Sequence, residues 1–395
     1  MSYIKRKITT YLKKVIQQSP VTLLTGCRQS GKSTLLQRIL NHYNYVTLDD
    51  LKLREQAINE PELFLTYYKP PLILDEIQNA PNLLSYLKIN VDKKRVKGSY
   101  VLTGSQQFSL MSEVHESLAG RLGVTSLTPF SIEEFYIDRK IQMPIWTQIA
   151  LEGLYPEPSS DKKIDSKIWF SRYIESLLNK DIKNNLKKEY LGTYDKFVKF
   201  LAIRTSQELN YSDISKELGV SSLTVQSWLT LLERSQIVFR LPPYYKNLGK
   251  RITKAHKSYF IDPGLVSYLS GHRTKEQIQD SPMTGALFET LVMCEVNKFF
   301  FNRGETPQIY YFRDNHGLEV DLIIEYGNKV LIAEIKSTSN PKKHHIIAAK
   351  KIRSLIPKST IILLCNRKEG FLLEKDIIAI HWSEISKFLR KYFDI

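Results

Sequence analysis

The sequence contains few cysteines and no long apolar run. Its three cysteines, Cys27, Cys294 and Cys365, lie far apart and form no C-x-x-C pair, which argues against a disulfide framework and against a zinc site. The longest apolar runs are short, such as TIILLC at 360–365, whereas a membrane-spanning helix needs roughly 18 residues. These absences predict a protein of the reducing cytoplasm that does not enter a membrane.

Acidic residues are scarce relative to basic ones. The chain has 41 Asp and Glu against 57 Lys and Arg, which gives a net charge of +16. Residues 240–258 contain six Lys or Arg and no acid, and residues 336–358 contain seven and no acid. A solvated, lysine-rich surface would explain the total, but the clustering favours attraction to a polyanion. We therefore predict DNA as a partner.

The length of 395 residues exceeds one typical hydrophobic core and predicts two or three domains. The first residues, SYIKRKITTYLKKVIQQ, are basic and amphipathic like a transit peptide. However, Ile4, Ile8 and Leu12 recur at helical spacing, and an apolar strand starts at Val21. We therefore expect this segment to be a packed helix of the first domain.

Residues 26–33, GCRQSGKS, match the phosphate-binding pattern G-x-x-x-x-G-K-S between an apolar run and an amphipathic helical stretch. Gly26 and Gly31 allow the backbone N–H groups to face phosphates, and the start of the helix adds its positive dipole. Lys32 is expected to reach the β- and γ-phosphates of ATP, and the Ser33 hydroxyl to coordinate Mg²⁺.

A second apolar run, PLILDEI at 71–77, ends in Asp75 and Glu76, and Asp75 follows Lys32 by 43 residues. Asp75 is expected to hold Mg²⁺ and Glu76 to polarise the attacking water. The alternative is a buried strand whose acids simply meet solvent at its end. Further strands are predicted at 45–50, 99–105 and 123–129. Together they predict a parallel α/β sheet with ATP at its carboxyl edge. The predicted nucleotide-binding set is Gly26, Cys27, Arg28, Gln29, Ser30, Gly31, Lys32, Ser33, Thr34 and Asp75.

The stretches GCRQSGKSTLL, LILDEIQ, LTGSQQF and SLAGRL together resemble the ATPase domain of a widespread bacterial and archaeal family of AAA-type ATPases. Members of that family carry a C-terminal domain of unknown function. The resemblance implies that Ser105 is a sensor residue and that Arg121 is an arginine finger for a neighbouring copy in a homo-oligomer. Arg121 as an ordinary surface residue is the alternative. Cys27 stands where the family often has proline.

The middle of the chain has a predicted helix at 169–182 and a helix-turn-helix pattern at 211–241. Ser212 is expected to cap the first of the two helices, Gly219 to end it, and Ser221 or Ser222 to begin the second. Residues 242–261 would form the wing of a winged helix. The residues predicted to face DNA are Ser222, Thr224, Gln226 and Ser227 on the helix, with Lys246, Lys250, Arg251, Lys254 and Lys257 on phosphates. Because the second helix has no Lys or Arg before Arg234, a packing module is the alternative.

The last third begins with a predicted amphipathic helix at 283–300, which carries Glu289 near its start. Strands are predicted at 310–314, 319–326 and 330–337. Alternation along the last strand places Glu334 and Lys336 on one face, and Asp321 precedes Glu334 by 13 residues on the neighbouring strand. Two convergent carboxylates and a lysine can hold Mg²⁺ or Mn²⁺ and orient water for phosphodiester hydrolysis.

The sequence G-x-L-F-E, then V-D, then E-I-K resembles the restriction-endonuclease-like fold and, within it, archaeal Holliday junction resolvases. Beside the pair Asp321 and Glu334, Glu289 could extend the metal shell from the helix, and Lys336 could orient the water or neutralise the phosphate. Val320 stands where proline is usual. Charged residues that protect a strand edge, or a nuclease fold without activity, are the alternatives.

These patterns predict three domains: an AAA-type P-loop ATPase at 1–140, a helical linker with a winged helix at 141–280, and a restriction-endonuclease-like α/β domain at 281–395. The leading hypothesis is an ATP-hydrolysing AAA-type protein whose C-terminal module binds branched or duplex DNA, and metal-dependent cleavage of that DNA is left open. The rival hypothesis is an ATP-switched module that binds DNA or protein through an inactive nuclease fold.

Overall fold

The computed structural model describes residues 3–104, 117–177, 190–245, 255–306 and 308–395. The chain divides into two compact units. The first unit contains Met1–Phe130, Arg234–Gln236 and Phe301–Glu305; the second contains Ser131–Glu233, Ile237–Phe300 and Thr306–Ile395. The predicted three-way division therefore stays a prediction.

The first unit is built on a five-stranded parallel sheet, as the sequence predicts. Its strands are β1 (Val21–Gly26), β2 (Asn44–Thr47), β3 (Leu72–Asp75), β4 (Tyr100–Thr103) and β5 (Leu122–Leu127). Their order is β2-β3-β4-β1-β5, and every neighbouring pair is parallel. All residues of β1, β3 and β4 are buried, because helices cover both faces of the sheet.

The helices of the first unit are α1 (Thr9–Gln18), α2 (Lys32–Ile39), α3 (Leu51–Asn59), α4 (Pro61–Tyr67) and α5 (Leu83–Lys93). α1 and α2 form one core with residues of β1, β3 and β4 that include Leu24 and Ile73. α3, α4 and α5 form the core on the other face with Leu23 and Leu74. The predicted packing of the N-terminal helix is confirmed, since Ile8 and its neighbours on the same face are buried.

The second unit begins with helices and a small sheet. Its first elements are α6 (Trp146–Glu152), α7 (Pro156–Ser160), α8 (Ser166–Ser176), α9 (Leu191–Ile203), α10 (Tyr211–Leu218), α11 (Ser222–Arg234), β6 (Val238–Leu241) and β7 (Lys257–Phe260). β6 and β7 pair antiparallel. The end of the predicted helix at 169–182 lies outside the described residues, as do Lys246, Lys250, Arg251 and Lys254.

The helix-turn-helix boundaries differ from the prediction in one cap. Asn210, and not Ser212, caps α10, because its side chain accepts hydrogen bonds from two N–H groups of the first turn. Gly219 ends α10 in the left-handed conformation, with φ of 66°, as predicted. Ser221 accepts the N–H of Thr224 at 3.0 Å and so caps α11.

The rest of the second unit is a mixed α/β layer. Its elements are α12 (Pro263–Leu269), α13 (Lys275–Gln279), α14 (Thr284–Phe301), β8 (Ile309–Arg313), β9 (Glu319–Tyr326), β10 (Lys329–Lys336), α15 (Ile347–Leu355), β11 (Thr360–Cys365), β12 (Phe371–Glu374), β13 (Ile377–His381) and α16 (Ile385–Phe393). The strand order is β12-β13-β11-β10-β9-β8. β10, β11 and β13 are parallel, whereas β8, β9 and β12 are antiparallel to their neighbours.

Helix α14 is not amphipathic, which corrects the prediction. It is buried on all sides over most of its length, and even Glu295 and Lys298 are buried. These two residues pair at 3.1 Å, and Glu295 also accepts the N–H of Ile132. Mutual pairing therefore allows charged residues on a helix that the unit surrounds. Within the described residues, no helix has both the length and the apolar character to cross a membrane.

Candidate functional site

The loop between β1 and α2 depends on backbone conformations that favour glycine. Gly26 has φ of 150°, and a Cβ atom there would lie 2.3 Å from the carbonyl oxygen of Leu127. Gly31 precedes α2 with φ of 91°. Gln29 also has a positive φ of 58°. The chain therefore curls tightly before the first turn of α2, as the backbone of a phosphate-binding loop must.

Lys32 lies inside this curl. Its ammonium donates to the carbonyl oxygens of Gly26 and Cys27, both at 3.1 Å. Burial lowers the pKa of Lys32, although the charges of Glu76, Cys27 and Asp75 oppose the shift. Among the other loop residues, Cys27 and Ser30 are buried, whereas Gln29 and Thr34 are exposed and Arg28 is half-buried.

Asp75, at the end of β3, connects several hydroxyl groups. It accepts hydrogen bonds from Ser33 at 2.8 and 3.1 Å, from Tyr45 at 2.6 Å, and from Thr103. The structure thus brings together Ser33 and Asp75, the two predicted Mg²⁺ ligands. Burial, followed by the hydrogen bond to Asp75, raises the pKa of Tyr45, so this phenol stays a donor.

Glu76, the residue after Asp75, has a strained backbone conformation of the kind that is common at functional sites. Its φ of 59° and ψ of 51° are left-handed, a conformation that costs a non-glycine residue about 1–3 kcal/mol. Its N–H donates to Thr103 at 3.1 Å, and its carboxylate accepts from the Gln78 amide. The surroundings therefore hold the predicted water-polarising carboxylate in one conformation beside Asp75.

Sequence reasoning missed Arg6, which supports the loop from behind. Its buried guanidinium donates to the carbonyl oxygens of Ser30 at 3.0 Å, Thr128 at 2.6 Å and Pro129 at 3.3 Å. It also lies 4.7 Å from the ring centroid of Phe130. Nothing in the basic N-terminal stretch distinguishes Arg6 from its neighbouring lysines, so the sequence carried no signal for this role.

Arg121 lies at the opposite end of the sheet from the loop. Its carbonyl accepts the N–H of Val21, the first residue of β1, at 3.2 Å. Its guanidinium pairs with Asp92 at 2.6 and 2.8 Å. Because β1 has six residues, roughly 16 Å of strand separates this end from Gly26. The arginine-finger role stays a prediction, and Ser105 lies outside the described residues.

In the second unit, Asp321 on β9 meets Glu334 and Lys336 on β10. The Lys336 ammonium lies 2.7 Å from Asp321 Oδ2 and 2.9 Å from Glu334 Oε2. The N–H of Ile335 also donates to Asp321 at 2.8 Å. The antiparallel pairing of β9 with β10 sets these positions side by side. The structure therefore brings together the three residues that the sequence pattern singled out; we name them the carboxylate centre.

The two carboxyl groups of this centre differ in their protonation. Burial, followed by the charge of Asp321, raises the pKa of Glu334 to about 8. Burial also opposes ionisation of Asp321, but the ammonium groups of Lys336 and Lys257 outweigh it and lower the pKa of Asp321. Glu334 Oε1 is buried and has no hydrogen-bond partner among the described residues. Of the two carboxyl groups, Glu334 therefore holds a proton more readily than Asp321.

Lys257 corrects the prediction that it contacts DNA phosphates. Its side chain is 3% exposed and pairs with Glu319 at 2.7 Å and Glu289 at 3.3 Å. The prediction failed because β7, where Lys257 lies, is buried throughout. The phenol of Tyr259 also donates to Glu289 at 2.5 Å. Burial raises the pKa of Glu289 to about 7 despite the nearby charge of Lys257.

Lys257, Tyr259 and Glu319 were all missed as neighbours of the predicted nuclease residues. In the part of the chain that the structure describes, no three His, Cys, Asp or Glu side chains are arranged to hold a metal ion. Lys257 and Tyr259 bind Glu289, and Lys336 lies between Asp321 and Glu334. The predicted metal shell therefore stays a prediction.

Family models match three parts of the chain. Residues 18–136 match a model described as an AAA domain. Residues 143–276 and 284–385 match two models described as domains of unknown function, DUF8612 and DUF4143. The first match covers the five-stranded sheet, the loop around Lys32, and Asp75.

Relatives and solved structures are similar at low identity. The uncharacterized protein Rv2008c of Mycobacterium tuberculosis is 27% identical over 338 residues, which cover 85% of this chain and 75% of the relative. The uncharacterized protein MJ1637 of Methanocaldococcus jannaschii is 23% identical over 379 residues, which cover 83% of this chain and 78% of that one. The Walker-type ATPase PABY2304 of Pyrococcus abyssi gives a TM-score of 0.42 at 15% identity, over 68% of this chain and 96% of its own. Residues 18–136 therefore combine a match to an AAA domain model with a five-stranded parallel sheet and the loop G-x-x-x-x-G-K-S after its strand β1.

Proposed function

We propose that this protein binds ATP with Mg²⁺ and hydrolyses it at the carboxyl edge of the first sheet. The observation that carries the proposal is the contact of Ser33 with Asp75, next to a buried Lys32 whose ammonium donates to two carbonyl oxygens. A hydroxyl and a carboxylate are oxygen ligands of the kind that Mg²⁺ prefers, and a lysine held by carbonyls is able to turn toward a phosphate.

Each residue has a separate task in this proposal. The N–H groups of residues 26–33 bind the phosphate chain, and Lys32 neutralises the charge on its outer phosphates. Ser33 and Asp75 hold Mg²⁺, which neutralises further charge on the transferred group when it is bound. Glu76 orients the attacking water and accepts its proton.

Two substitutions separate phosphate binding from hydrolysis. Lys32→Ala should abolish ATP binding in a calorimetric titration, because it removes the only ammonium in the predicted phosphate cradle. Glu76→Gln should keep ATP affinity within about twofold and lower the rate of phosphate release at least about 100-fold, a usual loss for a general base. Glu62→Gln, an exposed glutamate of the same unit, is the matched control. Undiminished turnover by Glu76→Gln would remove that residue from the mechanism.

The arginine-finger proposal needs a second copy of the chain. Arg121 lies at the amino edge of the sheet and pairs with Asp92. It is therefore too far away to contact a nucleotide bound beside Lys32 of the same chain. Neither Lys32→Ala nor Arg121→Ala alone should hydrolyse ATP. Their mixture should regain part of the activity, because one copy keeps a complete loop and the other keeps the arginine. If the mixture stays inactive while Arg121→Ala alone is active, the arginine is a surface residue.

Metal-dependent cleavage of a phosphodiester at the carboxylate centre is the second candidate function. The specific observation in its favour is the buried Oε1 of Glu334, which has no hydrogen-bond partner among the described residues and lies beside an ionised Asp321. Asp321 and Glu334 would hold Mg²⁺ or Mn²⁺, and Lys336 would orient the water or neutralise the phosphate. Glu289 could extend the metal shell only after leaving Lys257 and Tyr259.

The test uses junction, duplex and single-stranded DNA with and without Mg²⁺ or Mn²⁺. Asp321→Asn should abolish metal-dependent cleavage and leave ATP hydrolysis unchanged. Asp280→Asn, an exposed aspartate of the same unit, should leave both activities unchanged. If no substrate is cut and Mn²⁺ does not raise the melting temperature of the wild type, the chain is an ATP-dependent binding module with an inactive second centre.

A further inference from the structure

A separate cavity of about 1210 Å³ lies in the second unit. The segment 142–146 before α6 forms one side of it. The segment 366–368 after β11 and the segment 380–384 at the end of β13 form another, and α16 completes it. None of the residues of the carboxylate centre lines this cavity.

The lining is strongly basic. Arg367, Lys368, Lys387 and Lys391 all line the cavity, and Glu384 is the only acidic residue that lines it among those that the structure describes. Glu384 pairs with Lys387 at 3.4 Å, whereas Lys368 and Lys391 are exposed and pair with no carboxylate of the described residues within 4.0 Å. The cavity therefore offers positive charge without an acidic partner for it, which favours an anionic ligand.

One buried ring N–H group belongs to a side chain in the same lining. Trp382 lines the cavity, and its indole N–H is buried without a hydrogen-bond partner among the described residues. His381 also lines the cavity, and its Nδ1 atom lies 2.7 Å from the hydroxyl oxygen of Ser383 and 3.4 Å from the backbone nitrogen of that residue. Burial, followed by the opposing charge of Glu384, sets the pKa of His381, and the net result is a pKa below its usual value. A buried donor without an acceptor is costly, and an acceptor supplied by a ligand would remove that cost.

The remaining wall is apolar and partly aromatic. Trp146 and Phe388 line the cavity together with Met143 and the 54% exposed Ile145. Phe388 stacks on Tyr392 with an interplanar angle of 10°, which fixes the orientation of its ring. Rigid aromatic rings beside basic side chains are the arrangement that binds unpaired bases together with their phosphates. The volume also exceeds the roughly 300–1,000 Å³ of an ordinary small-molecule site.

We propose that this cavity binds a segment of single-stranded nucleic acid. Arg367, Lys368 and Lys391 contact its phosphates, the indole N–H of Trp382 donates to a phosphate or base oxygen, and the apolar wall packs against bases. Binding here needs neither a metal ion nor the ATPase, and only the destination of the strand rests on the second candidate function.

The register of the β-strands indicates that a bound nucleic acid can reach the carboxylate centre. Lys336, Cys365 and His381 are register partners on the parallel strands β10, β11 and β13. Since neighbouring strands lie about 4.8 Å apart, the backbone of His381 is about 10 Å from that of Lys336. The cavity and the carboxylate centre thus share one edge of the sheet, and a strand bound in the first can extend to the second.

The experiment measures binding of a fluorescein-labelled 15-residue oligothymidylate in EDTA, which prevents cleavage. The full chain carries Lys32→Ala, so that the ATP site does not compete. One double variant combines Lys368→Glu with Lys391→Glu, and the control double variant combines Lys351→Glu with Lys375→Glu. The second pair is exposed, lies outside the cavity and gives the same change in net charge.

The cavity variant should weaken binding at least about tenfold, and the control variant less than about threefold. The slope of log K against log salt should fall by about 1.4 in the cavity variant, since each phosphate that is no longer neutralised removes roughly 0.7 for a single strand. Trp382→Phe should reduce the rise in melting temperature that the oligonucleotide causes, because it keeps a ring and removes the N–H.

Three outcomes would overturn the proposal. Equal losses in the two double variants would mean that only the overall charge attracts the strand. Competition by thymidine monophosphate at concentrations similar to the oligonucleotide would make the cavity a mononucleotide site. Tighter binding of a duplex of the same length would exclude a single-strand site. Failure of cleavage in a separate assay with Mn²⁺ would contradict only the second candidate function.

Discussion

The lysines of the two units are held by different kinds of oxygen. In the first unit, Lys32 donates to two backbone carbonyls, and its pKa is lowered by burial. In the second unit, Lys257 and Lys336 each lie against two carboxylates. Burial opposes their charge, but those carboxylates outweigh it and raise the pKa of both lysines.

The positive charge of Lys32 has no negative charge bound to it, whereas the positive charge of Lys336 is already neutralised by carboxylates. Lys32 gives up only neutral acceptors when it turns to an anion, so a phosphate gains its full attraction. Lys336 must leave Asp321 and Glu334 before a metal ion can take its place between them. Phosphate binding at the first site should therefore be strong and should not require other residues to rearrange. Metal binding at the carboxylate centre should be weak, because it requires Lys336 to move away.

The largest effect we predict is on stability. Lys257→Met should lower the free energy of unfolding by about 3 kcal/mol or more, because it leaves Glu289 and Glu319 without their shared counterion. Lys32→Met should change it by less than about 1 kcal/mol, because only carbonyl oxygens lose a partner. Urea unfolding of both variants and of wild type measures the difference. Equal losses would mean that the kind of oxygen does not distinguish the two lysines.

Arg6 provides the next test, because it is a buried cation of the first unit whose guanidinium donates to three carbonyl oxygens. Arg6→Lys keeps the charge but cannot span three acceptors, so we expect a loss of about 2 kcal/mol in unfolding free energy. The KM for ATP should rise with kcat retained, since the Ser30 carbonyl would lose its support while Glu76 stays in place. Steady-state kinetics measure this, with the exposed Lys5→Ala as control. An unchanged KM would limit Arg6 to folding.

Much of the first site could be predicted because its residues are consecutive or end a strand. The motif at 26–33 and the acids at 75 and 76 are visible in any reading of the sequence. Tyr45 and Thr103 were not predictable in the same way, because their contacts with Asp75 depend on β2 and β4 flanking β3. If the order β2-β3-β4 had been known, the proximity of Tyr45 and Thr103 to Asp75 could have been predicted.

The second unit was harder to predict because its contacts join distant elements. The convergence of Asp321, Glu334 and Lys336 follows from a local strand pair, and the sequence indicated it. The pairing of Lys257 with Glu289 and Glu319 joins a strand, a helix and another strand that are about 30 residues apart along the chain. A basic stretch looks the same whether one of its lysines faces solvent or enters a core, and Lys257 enters the core.

Removal of Lys336 should increase metal binding if that lysine occupies the cation position. Lys336→Met leaves Asp321 and Glu334 side by side, so Mn²⁺ should stabilise this variant by about 1.4 kcal/mol more than it stabilises wild type, equal to tenfold tighter binding. Melting temperatures across a Mn²⁺ titration measure it. Lys329→Met, which frees the exposed Asp394, is the control and should show no such gain. A smaller Mn²⁺ shift in Lys336→Met than in wild type would make the lysine part of the metal site.

An effect no larger than that on Mn²⁺ binding is expected in the predicted wing. With Lys257 buried, the basic residues left for phosphates are Lys246, Lys250, Arg251 and Lys254, all outside the described residues. Replacing Lys250, Arg251 and Lys254 with Ser should weaken duplex binding about tenfold and lower the salt slope by about 0.9 for each phosphate that is no longer neutralised. Lys351, Lys358 and Lys375 replaced with Ser give the same charge change away from the wing. If both triple variants bind DNA equally weakly, the field of the whole chain attracts DNA, and the helix-turn-helix is a packing module.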